Sequence, residues 1–140
     1  MTLWQPWASL IVDLRKPVET RSWGTSYRGP LAIHAGAKVD KEPCSRFGYV
    51  PSALPRSAVL GTAVLSNCVL FPDESIIPDE YGDYTNGRFG FVLSNVVKFA
   101  VPVPAKGMLG LWEWHGNREP VKTTRPSNQP DLRNFTKRAH

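Results

Sequence analysis

The sequence predicts an α+β domain: an antiparallel, barrel-like sheet with one helix at its N-terminus. Three observations predict it. Several short segments, five or six in all, read as strands separated by turn signals. One apolar stripe of helical spacing stands near the start of the chain. No repeat is present, and nothing alternates strand with helix at the spacing of a parallel sheet. The 140 residues, 41% of them apolar, suffice for one core and not for two ordinary domains.

Pro6 suits a helix start, where its missing N–H is harmless. Trp7, Leu10, Ile11 and Leu14 then recur at i, i+3, i+4 and i+7, one face of a helix. That helix should end near Arg15 and Lys16, because the residue before Pro17 is disfavoured in the α region. Residues 18–23 alternate, with Val18 and Thr20 on one face and Glu19, Arg21 and Trp23 on the other, as in a strand. Residues 31–35 form a second strand after the turn signal Arg28-Gly29-Pro30. Pro43, Pro51 and Pro55 limit residues 39–56 to short helical structure. Residues 58–70 are apolar and β-branched, and Gly61 and Asn67 mark a bend or a division into two strands. Residues 71–88 read as an acidic loop with room for one helical turn. Residues 89–101 are strand-like with a break at Ser94-Asn95, and residues 109–115 read as a last strand.

The formal net charge is +5, which suits a polyanionic partner, but its distribution matters more than the sum. Residues 1–116 hold 11 basic and 10 acidic side chains, whereas residues 117–140 hold 6 and 2. The expected organisation is therefore a folded domain over 1–116 and a basic, Pro-containing extended or disordered tail over 117–140. Such a tail is either a solvated extension or an arm that adds affinity for phosphates. Within the body, residues 71–87 carry five acidic and no basic side chains. No apolar run approaches the roughly 20 residues a membrane helix needs, and no secretory leader is visible. Two cysteines, Cys44 and Cys68, make no disulfide framework, so a cytoplasmic, reducing location is expected.

Gly-rich phosphate loops, Cys-x-x-Cys pairs, His-Glu-x-x-His and Gly-x-Ser-x-Gly motifs are all missing from the sequence. His34, His115 and His140 are far apart, so neither a metal nor a cofactor is expected. What the sequence does offer is a row of charged and aromatic side chains in its first third. Strand alternation puts Glu19, Arg21 and Trp23 side by side, with Lys16 at the end of the preceding helix. A guanidinium gives a planar fork, an indole a stacking face, and a carboxylate accepts from an exocyclic amine. A helix N-terminus offers free N–H groups to an anion, which brings Gln5 and Ser9 into consideration. The same residues equally suit an ordinary ion pair on a sheet face with core tryptophans.

At these residues the sequence resembles the ASCH (activating signal cointegrator homology) domain family. The matching elements are Leu3-Trp4-Gln5-Pro6-Trp7-Ala8-Ser9-Leu10-Ile11, Lys16-x-x-Glu19-x-Arg21-x-Trp23 and Tyr27-Arg28-Gly29-Pro30-Leu31-x-Ile33-His34-Ala35. Gly87-Arg88-Phe89-x-Phe91-x-Leu93 and Pro104-x-Lys106-Gly107-x-x-Gly110-Leu111-Trp112 continue the match. The resemblance implies a PUA-like, mixed or antiparallel β-barrel of five or six strands, with an N-terminal helix and one or two short helices. It also implies a cleft between the first helix and the barrel, edged by Lys16, Glu19 and Arg21.

Members of the family are associated with nucleic acid, chiefly RNA. The expected partner is therefore RNA, with single-stranded DNA or a nucleotide as alternatives. Candidate contacts are Gln5, Trp7, Ser9, Lys16, Glu19, Arg21, Trp23, Tyr27, Arg28, His34 and Lys106. The alternative function is a metal-free hydrolase acting on a modified nucleoside such as N4-acetylcytidine, or a ribonuclease, with Lys16 and Glu19 as an acid/base pair and Tyr27 assisting. A protein-interaction role for exposed aromatics is the third possibility. Two departures from the family pattern stand out. Leu14 occupies a helix-end position where the family often has Gly. Glu19 occupies the place of the nucleophilic Thr in the amidohydrolase branch, and a carboxylate there offers a base rather than that nucleophile.

Overall fold

The computed structural model describes residues 1–116, so the tail at 117–140 lies outside the described residues. Five strands form one mixed sheet: β1 (Thr2–Gln5), β2 (Val18–Arg21), β3 (Gly29–Val39), β4 (Ala58–Leu70) and β5 (Phe89–Pro104). Two helices, α1 (Trp7–Val12) and α2 (Lys41–Phe47), and a 3-10 turn at Pro51–Ala53 complete the described elements. The strand order is β1-β3-β4-β5-β2, with β1 parallel to β3 and every other pair antiparallel.

The α+β class stands, with the strand ladder open at a seam between the edge strands β1 and β2. The sheet bends far enough to bring these edges together. A side chain spans the gap: Arg21 Nη2 donates to the Thr2 carbonyl oxygen at 2.8 Å.

Alternation along the strands explains the packing. In β3, Leu31, Ile33 and Ala35 turn inward with Leu3, Ile11, Leu60, Leu65 and Phe91. Ala32, on the opposite face, packs with Val59, Trp112 and Trp114. Both faces of β3 are thus covered there, one by α1 and the other by the segment after β5. That segment corrects the expectation of a last strand at 109–115. It forms a bend and one isolated bridge at Trp114, and its alternating tryptophans strap the outer face of β3 and β4 rather than entering the ladder. Residues 71–88 contain turns and no helix. β4 runs unbroken through Gly61, where a Cβ would collide with the Val97 carbonyl oxygen, so the close approach of β5 requires glycine. β5 also continues through Ser94-Asn95, with Asn95 at φ 49° where the ladder register slips.

The helix α1 is shorter than its apolar stripe. Gln5 Oε1 accepts from the Ser9 amide at 3.0 Å and satisfies one orphan donor of its first turn. At its other end Arg15 N bonds Leu10 O at 2.9 Å and Leu14 N bonds Ile11 O at 3.1 Å, the two bonds of a Schellman turn. Leu14 takes the left-handed position of that turn at φ 63°. The chain therefore makes with leucine the turn that glycine adopts more easily, and the turn delivers Lys16 to the edge of β2.

Candidate ligand cleft

A cleft of about 990 Å³ opens at the seam between β1 and β2. Thr2 and Trp4 face it from β1, Trp7 from α1, and Glu19, Thr20 and Arg21 from β2. His34 contributes from β3, Arg46 from α2, and two loops, at 80–83 and 106–110, close the sides. Its size is at the top of the roughly 300–1,000 Å³ range of small-ligand sites.

The floor is an ionic row. Glu19 Oε2 accepts from Arg21 Nε at 3.0 Å, and Glu19 Oε1 lies 3.5 Å from Lys16 Nζ and accepts from the Thr20 amide at 3.2 Å. Two cations thus converge on one carboxylate, leaving one positive charge over. Lys16 is only 3% exposed. Its ammonium donates to the Tyr81 carbonyl oxygen at 2.5 Å and stands 5.4 Å from the centre of the Trp7 ring. Burial pushes the Lys16 ammonium below the ordinary lysine range, and Glu19 opposes that shift. Arg21 spends Nε on Glu19 and Nη2 on Thr2, so its fork is pre-set by the seam it spans.

Above the row, His34 is fixed by a hydrogen-bond chain. Its Nε2 lies 2.6 Å from the Ala105 carbonyl oxygen, an acceptor, so Nε2 carries the proton. The Thr2 hydroxyl lies 3.1 Å from His34 Nδ1 and accepts from Trp112 Nε1 at 3.1 Å. The imidazole is therefore held by both ring nitrogens. Gly107 lies against it, since a Cβ at that residue would fall 2.6 Å from His34 Nδ1.

Of the residues singled out from the sequence, Trp7, Lys16, Glu19, Arg21, His34 and Lys106 line the cleft. The others lie elsewhere. Gln5 is fully buried, holding Ser9 N and donating to the Pro55 carbonyl oxygen at 2.8 Å. The Ser9 amide is thereby already bonded. Trp23 packs edge-on against Phe91 at 5.2 Å. Tyr27 donates to the Pro30 carbonyl oxygen at 2.6 Å, and the exposed Arg28 bonds the Thr25 and Tyr27 carbonyl oxygens.

Sequence reasoning missed Trp4, Arg46 and the loop around Tyr81. That loop is fastened where α1 ends. Arg15 Cζ sits 5.9 Å from the Tyr81 ring centre, Lys16 holds the Tyr81 carbonyl, and the Asp83 amide donates to Thr20 Oγ1 at 3.0 Å. Its run of acidic residues marked a loop but not its destination. Among the described residues no three His, Cys, Asp or Glu side chains are grouped to hold a metal, and no helix is long and apolar enough to cross a membrane.

The ASCH domain family model matches residues 1–101. Activating signal cointegrator 1 of Mus musculus is 28% identical over 128 residues, covering 81% of this chain and 22% of that protein. Activating signal cointegrator 1 of Homo sapiens is 29% identical over 128 residues, with the same coverage of 81% and 22%. The chain thus spans under a quarter of the length of these curated relatives. A crystal structure of the ZmASCH protein of Zymomonas mobilis, a tyrosine-to-phenylalanine mutant, superposes with a TM-score of 0.48 at 21% identity, covering 74% of this chain and 73% of that one.

Proposed function

From the premise that the chain belongs to the ASCH domain family, a PUA-like fold often linked to RNA binding, we propose that it binds single-stranded nucleic acid in the seam cleft, RNA foremost and single-stranded DNA second. The observation that carries this reading is the Lys16–Glu19–Arg21 row on the cleft floor, walled by Trp4 and Trp7. The guanidinium and the excess positive charge suit a phosphate or a base carbonyl oxygen, and the carboxylate suits an exocyclic amine. Arg46 and Lys106 at the rim add charge for the backbone. A cytoplasmic, reducing setting goes with this reading, and the free thiols Cys44 and Cys68 support it.

Fluorescence anisotropy with single-stranded RNA, single-stranded DNA and duplex RNA tests the proposal. Single strands should bind, with log affinity falling against log salt by about 0.7 per phosphate contact. Absence of micromolar binding to any of them at low salt overturns it. Removal of residues 117–140 separates the tail from the cleft: affinity that vanishes with the tail but survives Arg21→Ala excludes the cleft as the site.

One observation favours a second reading, a hydrolase acting on a modified nucleoside such as N4-acetylcytidine or on RNA. Lys16 is buried against a carboxylate and its pKa is lowered, as a general base requires. Product chromatography after incubation with each substrate tests it, and activity surviving both Lys16→Ala and Glu19→Ala removes these residues from the chemistry.

A further inference from the structure

We infer that Trp4 is a stacking platform for a second, unpaired base beside the cleft, so that the site takes a strand of two or more nucleotides. The inference rests on the nucleic-acid reading above and adds a subsite to it. Trp4 is 51% exposed, whereas the other four tryptophans are buried or half-buried. Leaving half an indole in water forgoes burial that packing would otherwise supply.

The backbone explains why Trp4 is turned outward. Leu3 pairs with Ala35 but Gln5 pairs with Val39, so β3 carries two extra residues opposite Trp4. Alternation along β1 turns Trp4 outward, between the buried Leu3 and Gln5, and the bulge of β3 lies directly across from it. The bulge places Gly36 and Ala37 next to Trp4 on the cleft wall, and neither has the bulk to cover an indole. It also brings Lys38 Nζ over the Trp4 ring, 5.0 Å from its centre, so that the ammonium caps part of one face. A flat aromatic face and an adjacent ammonium are what a base and its phosphate need from a sequence-tolerant single-strand site. Thr2, on the same face of β1 as Trp4, lies at the Arg21 end of the cleft. One strand therefore runs from the ionic row to the platform.

The experiment compares a uridine mononucleotide, a diuridylate and a longer oligouridylate on the wild-type chain, Trp4→Ala, Trp4→Phe and Lys38→Ala. The wild type should bind the longer strands more tightly than the mononucleotide and quench its tryptophan fluorescence. Trp4→Ala should reduce that length preference roughly five- to hundredfold and remove part of the quenching, and Trp4→Phe should restore most of the preference. Lys38→Ala should lower the salt slope by about 0.7. Urea midpoints close to wild type for the Trp4 variants establish that the fold is intact. A length preference unchanged in Trp4→Ala, with binding still sensitive to Arg21→Ala, overturns the platform and leaves the cleft reading standing. Failure of the wild type to bind any of the three ligands or longer mixed-sequence strands overturns both.

Discussion

Arg21 joins the two edges of the sheet, donating from β2 to the carbonyl oxygen of Thr2 in β1 at 2.8 Å. The same guanidinium holds Glu19 at 3.0 Å. One side chain therefore closes the seam and orients the cleft floor, and fold and site are coupled at this residue.

Lysine has charge but no fork, so it cannot hold Thr2 and Glu19 together. Arg21→Lys should cost about 1–2 kcal/mol and Arg21→Ala about 2–3 kcal/mol, the scale of hydrogen bonds to a charged, largely buried group. Urea unfolding measures both. In binding, Arg21→Ala should lower the salt slope by about 0.7 while Arg21→Lys keeps it. Equal slopes in the two variants would show that Arg21 meets no phosphate.

Glu19 neutralises a lysine that is only 3% exposed. Removing one member of a buried pair leaves the other's charge uncompensated, at about 3–5 kcal/mol. Glu19 is slightly more open than Lys16, so Glu19→Gln should cost about 3 kcal/mol, the lower end of that range. Lys16→Met combined with Glu19→Gln should recover part of the loss, because the stranded charge is then gone. A double variant no more stable than Glu19→Gln would mean that the loss comes from Arg21 and Thr20 instead.

Tyr49 supplies a pH signature. Burial, helped by its hydrogen bond to Asp13 at 2.7 Å, pushes its hydroxyl from 10.0 up to about 12. The folded chain thus keeps the proton that the unfolded chain gives up first. The sign follows by linkage: this stabilisation is complete below pH 10 and is lost as pH rises to about 12. Tyr49→Phe lacks the Asp13 bond and should lose less stability across that window. Urea midpoints taken in steps through it decide the matter, and parallel curves for the two proteins would assign the alkaline loss to other groups.

The ionic row was legible in the sequence because Glu19 and Arg21 share one parity of a strand and Lys16 adjoins it. The stripe of α1 was legible for the same kind of reason, a local period. β1 was not: it has only four residues, is followed at once by Pro6, and pairs in parallel with a strand some thirty residues away. Residues 109–115 misled because Trp112 and Trp114 alternate like a strand, although their shared face serves packing on Ala32 and Val59 rather than a ladder. Arg46 and Tyr81 reach the cleft through long-range folding, which no local spacing encodes. Trp4 shows the same limit at shorter range: its outward turn is plain alternation in β1, but that strand was itself not legible.

Leu14 is where local rule and structure disagree most sharply, and the disagreement is measurable. The residue closes the Schellman turn at φ 63° while its side chain stays 75% exposed. Left-handed backbone costs an L-residue about 1–2 kcal/mol. Glycine avoids that cost but loses about 0.5–1 kcal/mol more conformational entropy on folding. The balance predicts that Leu14→Gly raises stability by up to about 1 kcal/mol. A β-branched residue is worse suited to this region, so Leu14→Val should be less stable than wild type. Because the turn delivers Lys16 to the cleft, a stabilised Leu14→Gly chain should keep its affinity for single strands. Urea midpoints that rank Leu above Gly would mean that the exposed leucine contributes contacts that outweigh its backbone strain, and Val above Leu would mean that β-branching adds no strain at this position.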